Sequence, residues 1–132
     1  VAILILNTVE ANSLVGLVDP ATGAMISSDS WPTDRSLSEI ILTKIEDLLS
    51  SAILSLSDLK GIVVFKGPGS FTSLRIGISV VNTIADQLEI PIVGSTGDNW
   101  LEDGLAELKL SRAGKIVLPE YGGEANITKQ RK

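Results

Sequence analysis

Ile62-Val63-Val64-Phe65-Lys66-Gly67-Pro68-Gly69-Ser70-Phe71-Thr72-Ser73-Leu74-Arg75-Ile76-Gly77 changes its periodicity partway along. Ile62 to Phe65 is an unbroken apolar run, as in a strand buried on both faces. From Phe71 onward the apolar residues recur at helical spacing. Leu74, Ile76, Ile78, Val80, Val81, Ile84, Ala85 and Leu88 sweep about 200° of arc on a helical wheel. Arg75, Ser79, Asn82, Thr83 and Asp86 share the narrow polar strip that is left. The stretch therefore reads as strand, glycine loop, helix. Such a helix needs cover on more than one side, which its own core or a partner helix can supply.

Gly67, Gly69, Ser70 and Thr72 lie where the strand gives way to the helix. Glycines permit a tight turn and close backbone approach. A helix start offers free N–H groups and a positive dipole end, which suit an anion or a nucleotide phosphate. Glycines that merely shape a strand-to-helix turn explain the same pattern. The loop is not a Walker A motif, because no Gly-Lys-Ser/Thr follows, and Thr72 stands where GxGxxG requires its last glycine.

Working outward, Val1 to Leu6 is an aliphatic strand ended by Asn7 and Thr8. Leu14 to Val18 forms a second strand, stopped by the turn signal Asp19-Pro20-Ala21-Thr22-Gly23. Ala24 to Ser28 returns as a third. Ser36 and Glu39 have capping-box spacing. Behind them Leu37, Ile41, Leu42, Ile45, Leu48 and Leu49 share one face of an amphipathic helix over 36–51. Ile90 to Gly94 reads as a strand, and Thr96 to Leu110 as a helix weakened by Gly97 and Gly104. Ile116 to Leu118 reads as a last strand stopped by Pro119. The pattern predicts one α/β domain over 1–118, with a polar tail over 119–132. Its mixed sheet, led by an antiparallel hairpin and covered by helices, matches the ribonuclease-H-like half of the actin-like ATPase fold.

Composition narrows the chemistry. The 132 residues carry no cysteine and no histidine, so thiolates, disulfides, zinc–sulfur sites and imidazole bases are absent from this sequence. The net charge of −5 argues against independent binding to tRNA, despite the small basic cluster Lys129, Arg131 and Lys132. Mean hydropathy is +0.32 while aromatics are only 4%. The excess is aliphatic, as expected of a sheet buried on both faces or of surface reserved for a partner. No run is long enough for a membrane-spanning helix and no signal peptide is evident, so a cytoplasmic location is expected.

Gly67 to Gly77 closely resembles GPGSFTGLRIG, the signature of the TsaB (YeaZ) family. Ile3 to Thr8 resembles the family's opening strand, Ser38-Glu39-Ile40-Ile41 its first helix, and Ile90 to Gly94 the strand after the signature helix. The resemblance covers about residues 1 to 105. Asn7 departs from the usual Asp, Leu37 from a common His, and Ser73 from the signature Gly. Family members carry a second lobe. Here Pro119-Glu120-Tyr121 resembles their closing P-x-Y, and almost nothing of that lobe lies before it.

The resemblance implies a non-catalytic subunit that binds and stabilises a TsaD-type transferase as a heterodimer. That enzyme makes threonylcarbamoyladenosine beside the tRNA anticodon, together with the TsaE-type ATPase. Transferred to this chain, the joint uses the two helices at 36–51 and 71–88. The candidates are Leu37, Ile41, Ile45, Leu74, Arg75, Ile78, Ser79, Val81 and Asn82, of which about half are expected to touch the partner. The resemblance further implies no cofactor or metal of its own, ATP or ADP only within the complex, tRNA contact only through the complex, and self-pairing through the same helices. The alternatives are a small nucleotide-binding kinase or phosphatase of the same fold, or a self-associating interaction module. An enzyme needs convergent acids, but Glu46-Asp47 and Glu102-Asp103 are sequence neighbours on helices, and their side chains diverge.

Overall fold

A computed structural model describes residues 1–9, 12–32, 37–69 and 71–120. The elements run β1 (Ala2–Asn7), β2 (Asn12–Val18), β3 (Met25–Pro32), α1 (Leu37–Ser51), a single 3-10 turn at Leu56–Asp58, β4 (Leu59–Gly67), α2 (Phe71–Leu88), β5 (Ile92–Thr96) and α3 (Trp100–Leu108). One five-stranded sheet has the order β3-β2-β1-β4-β5. β1 pairs antiparallel with β2 and β2 with β3, whereas β1, β4 and β5 are parallel. This is the expected α/β sheet of the ribonuclease-H-like, actin-like ATPase fold, with its leading hairpin.

The central strands are aliphatic throughout because both faces are covered. Ala2, Leu4 and Leu6 of β1 join Ile62 and Val64 of β4 in a core shared with α1 and α2. Ile3, Ile5 and Val63 point the other way, into a smaller core closed by Leu108 and the partly buried Trp100, Leu101 and Leu105 of α3. The period of two along each strand produces this division. Phe65 and Trp100 meet edge to face, with ring centroids 5.8 Å apart.

Three expectations are corrected. The third strand is longer than Ala24 to Ser28: it runs on to Pro32 because Trp31 turns into the main core, 7% exposed. The third helix is confined to Trp100–Leu108, since Thr96 still belongs to β5 and Gly97 bends the chain with φ +86°. Ile116 to Leu118 is no strand. Val117 bonds to the side chain of Asn82 on α2 and not to the edge strand β5, so the segment crosses the helix flank as an extended strap. That strap runs on to Glu120, which donates its N–H to the Lys66 carbonyl at 2.7 Å. Ser36 of the expected capping box and the tail beyond Glu120, with its basic cluster, lie outside the described residues.

Candidate functional site

The parallel strands β1 and β4 end on the same edge of the sheet, where open α/β sheets form their ligand crevices. Three segments converge there: the end of β1 with Asn7, Thr8 and Val9, the glycine loop between β4 and α2, and the strap. Each glycine accommodates a named neighbour. Gly67 has φ +127°, and a Cβ on it would collide with the carbonyl oxygen of Glu120. A Cβ on Gly69 would collide with Val9. On α2, a Gly77 Cβ would stand 2.5 Å from Thr8 Oγ1. Close packing by the chain's own residues therefore accounts for these glycines.

The remaining loop residues are placed as follows. Thr72, in the first turn of α2, is exposed, and Ser70 lies outside the described residues. Ser73 is buried and accepts a hydrogen bond from the Thr8 hydroxyl through its carbonyl at 2.8 Å, so a side chain is tolerated where the signature has Gly. Asn7 is 7% exposed, and its Oδ1 accepts the Val9 N–H at 2.9 Å, which folds the end of β1 back on itself. Its carboxamide carries no charge with which to hold a cation. Among the described residues no group of three Asp or Glu side chains lies together.

The helical candidates divide sharply. Ile41, Ile45, Leu74, Ile78 and Val81 are core residues, each no more than 3% exposed, and a partner does not reach them in this conformation. Arg75 and Ser79 lie exposed on the outer face of α2. Asn82 is half-buried, with its carboxamide engaged by the strap. The side chain of Leu37 is outside the described residues.

The margins of the two helices hold what the candidate list omitted. Thr72, Arg75, Ile76, Ser79 and Val80 line a shallow groove of about 390 Å³ on α2. Ile76 and Val80 are only half-buried. On α1, Lys44 reaches back to Asp29 of β3, and Leu42 lies two residues before it, roughly opposite on the helix. Leu42 is 45% exposed although it belongs to the apolar face. The wide apolar arc of α2 was the available signal: its centre packs on the sheet and its edges do not. A larger hollow of about 520 Å³ lies at the opposite edge of the sheet, between the Asp19–Gly23 turn and α3. Of the charged residues that line it, Lys60, Glu102 and Lys109 are exposed, and half-buried Asp19 accepts the Ala21 N–H within its own turn.

Comparison with known proteins finds relatives of the chain. Residues 32–96 match the family model described as TsaD, tRNA N6-adenosine threonylcarbamoyltransferase. The chain is 29% identical over 101 residues to the tRNA threonylcarbamoyladenosine biosynthesis protein TsaB of Escherichia coli (strain K12), covering 70% of this chain and 44% of that one. It is 39% identical over 92 residues to the tRNA N6-adenosine threonylcarbamoyltransferase of Geotalea uraniireducens (strain Rf4), covering 67% and 26%. Among solved structures, YeaZ from Pseudomonas aeruginosa superposes with a TM-score of 0.65 at 30% identity, covering 72% of this chain and 43% of that one. The chain thus spans less than half the length of these relatives.

Proposed function

The chain belongs to the TsaB (YeaZ) family, and from that premise we propose that it acts in the threonylcarbamoyladenosine modification of tRNA as a non-catalytic subunit. Its role is to bind and stabilise a TsaD-type transferase. The observation that carries this reading is the outer face of α2. Arg75, Ser79 and Thr72 stand exposed beside half-buried Ile76 and Val80, within the very segment that resembles the family signature. A partner helix laid along that groove, and against Leu42 of α1, makes a joint bundle by ridges-into-grooves packing. The polar centre and apolar margins supply specificity and buried area respectively.

In this reading the chain brings no cofactor and no metal. ATP or ADP enters only with the assembled complex and its TsaE-type ATPase, and tRNA, a polyanion, is contacted by the partners of this acidic chain. Self-pairing through the same face is what the isolated chain does until the transferase displaces it. Co-expression with the TsaD-type protein of the same organism, followed by size-exclusion chromatography, tests the reading. Co-elution is expected, and loss of it in Ser79→Arg or Arg75→Glu, with the circular dichroism spectrum unchanged. Separate elution of the unaltered chain at micromolar concentration, with the TsaE-type ATPase and nucleotide present, overturns it.

A further inference from the structure

Asn82 holds the backbone of Val117 at two points. Its Nδ2 donates to the Val117 carbonyl at 2.8 Å, and its Oδ1 accepts the Val117 N–H at 2.9 Å. A carboxamide offers the same donor and acceptor as a peptide group, so it fixes this residue as a neighbouring strand would. Val117 turns inward, where a Cβ on Gly94 would come within 2.6 Å of its Cγ1. The alternation of an extended chain then sends Ile116 and Leu118 the other way, and they are 67% and 69% exposed. Two aliphatic side chains thus stand in solvent on either side of a residue that is held by its backbone and by its buried side chain.

The pair borders the outer face of α2. Asn82 and Asp86 continue, at helical spacing, the line that Arg75 and Ser79 begin. Ile116 lines a hollow of about 270 Å³ together with Ala85 and Asp86. A stable interface buries about 800 Å² on each side and takes about 20–30 residues. The five residues of the α2 groove, even with Leu42, fall well short of that, so a partner seated there needs contacts beside them. We propose, on the reading of α2 as the partner-binding face, that Ile116 and Leu118 are a second contact element for the TsaD-type partner. Asn82 is the positioning residue that holds them out to it. Its own carboxamide is engaged at both ends, so it contributes to the joint through the strap. Fixing Val117 in advance spares the cost of ordering a loop on binding. The outward aliphatics give the joint apolar area that Arg75, Ser79 and Asp86 do not supply.

Dissociation constants of the full chain and its variants, measured against an immobilised TsaD-type protein of the same organism, test this. Ile116→Ser combined with Leu118→Ser is expected to weaken binding about tenfold or more through lost apolar burial, with the melting temperature unchanged. Leu110→Ser, an exposed aliphatic beyond the end of α3 on the other face of the sheet, should bind as the unaltered chain does. Asn82→Ala alone should weaken binding about threefold, yet cost nothing further in the doubly substituted chain, where no apolar pair is left to position. Full affinity in the doubly substituted chain overturns the contact role and leaves the subunit reading of α2 standing. An equal cost of Asn82→Ala in both backgrounds overturns its positioning role. No binding by the unaltered chain, with the TsaE-type ATPase and nucleotide present, overturns the subunit reading and this inference with it.

Discussion

The hydroxyl of Thr8, at the end of β1, donates to the main-chain carbonyl of Ser73 in the first turn of α2, at 2.8 Å, and Thr8 is 1% exposed. One turn further along α2, Gly77 leaves the room in which the Thr8 side chain stands: a Cβ there would lie 2.5 Å from Oγ1 and 2.9 Å from Cγ2. A strand and a helix are thus locked together by one hydrogen bond and one missing side chain. The last glycine of the signature is required by this joint.

Gly77→Ala should therefore destabilise the fold. In an open helix the change gains about 0.5–1 kcal/mol from backbone entropy. Overpacking against a buried neighbour costs about 1–3 kcal/mol. The contact wins, and a net loss of about 1–2 kcal/mol in urea denaturation is expected. Thr8→Ala removes both crowded atoms along with the hydrogen bond, so the double variant should lose less than the sum of the singles. Strict additivity would show that the two residues do not share this space.

Leu42 and Ile45, neighbours on α1, should behave in opposite ways. Ile45 is fully buried, and Ile45→Ala is expected to cost about 2–5 kcal/mol through lost contacts and the cavity left behind. Leu42 is 45% exposed, so Leu42→Glu should leave stability within about 0.5 kcal/mol. The same change should weaken capture of a TsaD-type partner if α1 contributes to the joint. Thermal melts and co-elution, run on both variants, separate the two effects.

The sequence made some elements plain and hid others for definable reasons. β1 was legible as an unbroken aliphatic run buried on both faces, and α1 and α2 because their apolar residues recur at helical spacing. The second half of β3 was hidden because Ser27-Ser28-Asp29-Ser30 carries no apolar alternation, although the strand is needed to bring Trp31 to the core. Ile116-Val117-Leu118 has strand composition, yet only Val117 is buried, and its hydrogen-bond partner is a side chain 35 residues away that no local pattern could reveal. Gly104 appeared to weaken a helix. It is in fact where α3 comes close to β4, since a Cβ there would collide with Val63. The candidate interface drew largely on the centre of the apolar arcs, which the sheet consumes, whereas Leu42, Ile76 and Val80 at the margins stay partly exposed.

Lys44 links α1 to β3 twice. Its Nζ lies 3.1 Å from Asp29 Oδ2 and 5.7 Å from the centre of the Trp31 ring. With the two side chains 31% and 43% exposed, solvent screening keeps the ion pair weak. Lys44→Met, which keeps the aliphatic stem, should cost about 0.5–1 kcal/mol at low salt. In about 1 M salt, where the screening length falls to about 3 Å, most of that difference should vanish. A cost that is unchanged by salt would assign the contribution to the stem and the ring instead of the charges.

Asp58 sets an acid limit on the entrance to β4. Its carboxylate accepts the Ser55 N–H at 2.8 Å, and this backbone hydrogen bond, with lesser help from the Ser55 hydroxyl and Lys60, holds its pKa below the ordinary aspartate value. Hydrogen bonding favours the charged form, so the folded state binds the proton more weakly than the unfolded chain does. The sign follows: the stabilisation is fully present above about pH 4, the unfolded value, and is lost as pH falls through the lower folded value. Asp58→Asn should accordingly lower the melting temperature at neutral pH. The difference from the unaltered chain should shrink steadily in acid, where both carry a neutral group. The carboxyl carbon resonance of Asp58 reports the same equilibrium directly, and a titration midpoint at or above the ordinary aspartate value would remove the basis of this pH dependence.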